Sequence, residues 1–168
     1  LIEVLIDTLE KENERYEELL KMSREKTGII IKGDLEALQT ITEKEQGVVE
    51  VIQALEKKRI ETVSDVGNVI NRSPKELTIT KLIELMANQP ETKDKLEQVH
   101  DKLKTTINQM IKVNDMNKGL IQESLEMVEF EMNLIHSIRQ APVTANYNKD
   151  AYNANVRSSG RGMFDTKQ

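Results

Sequence analysis

The chain has 168 residues, 38% of them hydrophobic, only 3% aromatic and 32% charged, with a formal net charge of −5. That is thin material for a globular core and better suited to long helices with solvated outer faces. The acidic balance argues against a binder of nucleic acid or anionic membrane, no apolar run approaches the roughly 20 residues that would insert across a bilayer, and the lack of cysteine removes disulfides and thiol chemistry. A reducing cytoplasm is the default compartment, and a start at Leu1 rather than Met leaves room for an upstream segment.

In chain order, Ile2, Leu5, Leu9, Tyr16, Leu20, Thr27 and Ile30 recur at helical spacing, with Asn13 and Ser23 as polar steps in the stripe. Gly33 followed directly by Asp34 reads as a C-terminal glycine and then an N-cap, a sharp reversal into a second, antiparallel helix. That helix carries Leu35, Leu38, Ile41, Val48, Ile52, Leu55, Val63, Val66 and Ile70 on one face, is weakened locally by Gly47 and Gly67, and should end near Asn71. Ser73-Pro74-Lys75-Glu76 has the form of a capping box, and Thr78 offers a second start for a short helix running to about Asn88, packed across a bundle end. From Pro90 the apolar spacing continues through Leu96, Val99, Leu103, Ile107, Met110, Asn114, Asn117, Ile121, Leu125, Val128, Met132 and Ile135, which predicts one very long helix. Ala141-Pro142 ends it, and residues 141–168 read as a flexible polar tail, rich in Asn, Ser and Gly. The expected fold is therefore all-α: an antiparallel bundle of three long helices plus one short helix over residues 1–140, then the tail.

Little in this chain suggests catalysis. Glu97-x-x-His100 has the spacing by which di-iron bundles place two ligands on one helix, but that fold needs the motif twice, and Asn133 stands where His136 would need its carboxylate. No phosphate-binding loop or nucleophile elbow is present, and Ser158-Ser159-Gly160-Arg161-Gly162 follows no strand. The reading is a protein without enzymatic activity, metal or other cofactor. Asn114 and Asn117 interrupt the long stripe as either a buried polar pair that fixes register or a direct part of a binding surface.

Helix lengths carry the mechanistic clue. The first two helices span about 48 and 57 Å and the last roughly 75 Å, so the last should pass the Gly33-Asp34 reversal near Met127 and leave about a dozen residues without an intramolecular partner. That section holds Val128, Phe130, Met132, Leu134, Ile135 and Ile138, apolar on two sides and containing a flexible methionine. It is either a binding surface, or the helix ends lie elsewhere and it packs internally, or it closes a homodimer.

The order of these features is similar to the FlgN-like family of flagellar export chaperones. The features are the first long helix, the run Gly33-Asp34-Leu35-Glu36-Ala37-Leu38 through Glu43-Lys44-Glu45-Gln46, the short segment Thr78-Ile79-Thr80-Lys81-Leu82-Ile83, Asn114-x-x-Asn117 leading into Leu120-Ile121 and Ser124-Leu125, and a Tyr-containing tail. The resemblance implies a cytoplasmic, non-enzymatic chaperone of the flagellar type III secretion system. Its partners would be hook-filament junction (hook-associated) proteins, with components of the export apparatus as further candidates. In that family the carboxy-terminal part of the long helix grips an amphipathic helical end of the client. The matching positions here are Asn117, Leu120, Ile121, Leu125 and Val128, with Met132 and Ile135 continuing the stripe. Family members often carry Tyr-Gly after the helix, where this chain has Tyr147-Asn148. A groove that takes one amphipathic helix by its apolar face would mask the client's assembly surface without chemistry. The alternative is a structural coiled-coil or homodimeric scaffold, a homo-oligomer in which the stripe pairs with its own copy.

Overall fold

The computed structural model describes residues 1–73 and 76–140. Among them it contains four helices and no strand: α1 (Ile2–Lys32), α2 (Leu35–Val69), α3 (Ile79–Leu85) and α4 (Pro90–Gln140). The expected tail, with Tyr147 and the Ser-Gly-Arg run, lies outside the described residues, as do Pro74 and Lys75 of the expected capping box.

The reversal between α1 and α2 forms for the local reasons its sequence suggests. Gly33 sits at φ 68°, a left-handed conformation in which a side chain would be strained. Its N–H donates to Ile30 O at 3.0 Å and that of Asp34 to Ile29 O at 3.3 Å, the paired bonds of a Schellman ending. Asp34 then turns its carboxylate back on Ala37 N at 3.0 Å and starts α2. Two residues thus satisfy backbone groups of both helices and force them antiparallel.

α2 ends at Val69, two residues before Asn71, which takes a left-handed φ of 52°. Of the two expected starts for the short helix, Thr78 is the cap, accepting from Lys81 N at 3.2 Å. Ser73 closes only a turn, its carbonyl accepting from Glu76 N at 3.1 Å. α3 stops at Leu85, three residues short of Asn88, and a turn hands the chain to Pro90, whose missing N–H costs nothing at a first helical position.

Residues Leu1–Glu126 form a compact unit. Its apolar core joins Leu5, Ile6 and Leu9 of α1, Val63 and Val66 of α2, Leu77, Leu82 and Ile83 at α3, and Leu96 and Leu103 of α4. Leu5, Leu9 and Leu96 have no exposed surface; burying a side chain of this size stabilises by about 1.5–3 kcal/mol. α3 closes this end of the unit, with Leu82 and Ile83 inward and Leu85 half exposed. At the reversal end the packing is thinner. Ile30 and Ile41 are buried there, but Ile31 and Leu35 beside the turn are 70% and 78% exposed.

Polar contacts set the directions. Glu12 meets Arg59, Tyr16 meets Glu56 and Ser23 meets Glu45, so α2 descends as α1 rises. Asn13 meets Thr106 and Thr27 meets Asn117, so α4 runs parallel to α1 and antiparallel to α2. Among the described residues, every side-chain hydrogen bond or ion pair between two long helices includes α1. That makes α1 the spine of this unit.

Candidate functional site

The sequence places the candidate binding residues on α4, and they run from buried through half-buried to exposed. Asn117 is buried, 4% exposed. Its Oδ1 accepts from Thr27 Oγ1 at 2.6 Å and its Nδ2 donates to Ser23 O at 2.8 Å. Ser23 Oγ in turn donates to Glu45 Oε1 at 3.1 Å, and Lys26 Nζ bonds Glu45 Oε2 at 2.6 Å. One polar chain therefore ties α4 to α1 and α1 to α2. A buried amide with both ends satisfied fixes which turn of α4 faces which turn of α1, because a shift of either helix would orphan several polar atoms at once. This is the register device that the sequence offered as one reading. It is a single residue and not a pair, since Asn114 is exposed.

Leu120 and Ile121 are half-buried and Leu125 is 64% exposed. From Gln122 to Gln140 every residue of α4 is exposed. In the segment that follows Glu126, Met127 is 65% exposed, Val128 55%, Phe130 67%, Met132 53%, Leu134 49%, Ile135 47% and Ile138 66%. Seven large apolar side chains in twelve residues are thus turned to solvent. Single exposed apolar residues need no explanation, whereas a contiguous set on a regular helix makes the segment a candidate interaction surface.

A second polar cluster went unread in the sequence. Glu12 is 1% exposed and takes both carboxylate oxygens to Arg59 Nε, at 3.0 and 3.1 Å. Burial pushes its pKa up, against the pull of the Arg59 charge. Tyr16 donates to Glu56 at 3.0 Å, and burial with that bond raises the phenol to about 12. Glu17 is held below its ordinary value by Asn13 and then by Lys102. The available signal was the position of Glu12, three residues after Leu9 on the buried face; Arg59 had none, because its partner lies 47 residues away. Arg59 also lines an open cavity with Ile60, Val63, Leu77, Ile79 and His100, while the bonds of the cluster join α1 to α2 and α4, as expected of a structural device.

His100 is 25% exposed at its side chain, with Nδ1 3.3 Å from Asp101 Oδ1. Among the described residues, no three His, Asp or Glu side chains converge as a metal site would require, and no helix is long and apolar enough to cross a membrane.

Comparison with known proteins adds the family. The model of the family described as FlgN protein matches residues 1–155. This chain belongs to the FlgN family. It therefore has the role of that family, a flagellar export chaperone that binds flagellar proteins. It is also similar to the uncharacterized protein YvyG of Bacillus subtilis (strain 168), with 26% identity across 97% of this chain and 96% of that protein. No solved structure matches the chain.

Proposed function

We propose that this FlgN-family chaperone binds a hook-filament junction protein by taking an amphipathic helix of the client against Val128, Met132 and Ile135, and so keeps it unassembled in the cytoplasm until export. The observation that carries the reading is the unbroken exposure of the apolar side chains along this end of α4. A family whose members hold flagellar proteins needs such a surface, and an exposed stripe at steps of four and three is the shape that a helical client's apolar face completes. Ile121 and Leu125 extend the same spacing toward Asn117, and Leu120 stands beside it. Asn117 itself contributes by holding α4 in register, because its side chain is already fully engaged. The mechanism asks nothing of catalysis. Affinity comes from apolar area, and release needs only a competing partner at the export apparatus.

Replacing Met132 and Ile135 together with Asp tests this. Carboxylates buried in an apolar contact are costly, so affinity for the junction protein in a calorimetric titration should fall by about two orders of magnitude or more. The melting temperature of the free chaperone should stay close to that of the unaltered chain, because both side chains already face water. Unchanged client affinity would overturn the reading, and so would a large loss of stability in the free protein.

A further inference from the structure

The segment after Glu126 carries more apolar surface than one client helix covers. At about 100° per residue, Val128, Met132 and Ile135 form one stripe, and Met127, Phe130, Leu134 and Ile138 form a second, centred roughly 120° away around the helix. A packed helix covers a stripe about 100° wide. One partner laid on the first stripe therefore leaves Phe130 and its neighbours, exposed by 49% to 67%, in water.

The charges on the segment say what kind of partner fits. Between Lys118 and Arg139 the chain has no Lys or Arg and four glutamates, Glu123, Glu126, Glu129 and Glu131, all exposed. On the helix surface Glu129 borders the first stripe, Glu126 borders the second, and Glu131 lies in the narrow arc between them. Each stripe is thus edged by carboxylate on both sides. A second copy of this chain would set four glutamates against four, and like charges brought together at an interface oppose pairing. A helix whose apolar face is flanked by Lys or Arg meets both the stripe and its edges.

We infer that the end of α4 is clasped by two amphipathic helices of the client, one on each stripe, both with basic residues flanking their apolar faces. This rests on the client-binding reading above and extends it to the second stripe and to the charge of the partner. Glu131, between the stripes, would then face basic flanks from both client helices, so it sets their spacing as well as their charge.

The test uses the full chain and the same hook-filament junction protein. A variant with Phe130→Asp and Leu134→Asp should bind it at least about tenfold more weakly while melting as the unaltered chain does. A variant with Glu126, Glu129 and Glu131 all changed to Gln should bind more weakly at low salt and lose most of the salt dependence of binding. A photo-crosslinker at position 130 and another at position 132 should attach to two different helical segments of the client. Unchanged affinity in the Phe130/Leu134 variant, beside lost affinity in the Met132/Ile135 variant, would overturn the two-helix clasp and leave the single-stripe reading intact; unchanged affinity in both would overturn both. Attachment of the two crosslinkers to one client segment would also overturn the clasp. So would a dimeric free chaperone that the Phe130/Leu134 variant renders monomeric, which would assign the second stripe to another copy of the chain.

Discussion

The buried ion pair of Glu12 and Arg59 shows how a single residue can stabilise by its presence and still be no net gain in itself. Burial raises the Glu12 pKa even with the guanidinium beside it, so desolvation outweighs attraction, as is common for buried pairs. A carboxylic acid with a raised folded-state pKa holds its proton more tightly folded than unfolded, and stability falls as pH rises from its unfolded value through its folded one. Glu12→Gln should therefore flatten that part of the stability profile. Arg59→Met leaves the carboxylate buried without a partner and should cost about 3 kcal/mol near neutral pH, with the loss shrinking as pH falls and Glu12 takes up a proton. Urea unfolding of the three proteins as a function of pH checks both statements; a loss from Arg59→Met that is the same at every pH would contradict them. Asn117→Ala should cost about 1–2 kcal/mol, because it strips Thr27 and the Ser23 carbonyl of a buried partner. These pairings were not legible in the sequence, whose spacing puts Asn117 in the apolar stripe but cannot say what stands opposite.

The helices themselves were largely legible, because their ends are decided by neighbours in sequence. Gly33 and Asp34 stop one helix and start the next with bonds spanning no more than five residues. Asp34→Ala should lower stability by about 1 kcal/mol through loss of the cap. Gly47, in the middle of α2, has open space where a side chain would go, so Gly47→Ala should raise stability by about 1 kcal/mol through helix propensity alone. Thermal melts of the two single variants should shift in opposite directions, and a Gly47→Ala variant that melts lower would show that the local account is incomplete. The short helix α3 forms as expected behind its Thr78 cap, but it stops at Leu85, three residues before Asn88. Its length depends on how Leu82 and Ile83 reach the core, and local signals at Ser73 and Asn88 carry no information about that.

Across the unit from Leu1 to Glu126 the apolar core is concentrated at the end closed by α3, and the reversal end leans on the polar chain through Ser23, Glu45 and Asn117. Amide exchange should accordingly be slowest around Leu5–Leu9 and Leu96–Leu103 and faster through the residues flanking Gly33. Uniform protection along α1 would contradict this. The sequence by itself determined the helices, their reversal and the family, because periodicity, caps and motif order are written along the chain. It also placed a long apolar stripe on α4 and, from helix lengths, offered an uncovered end past Met127 as one of three readings. Only the tertiary structure decided that Leu96 is sealed in the core while Met132 faces water, because burial depends on contacts between side chains far apart in sequence, which the order of residues along one helix does not specify.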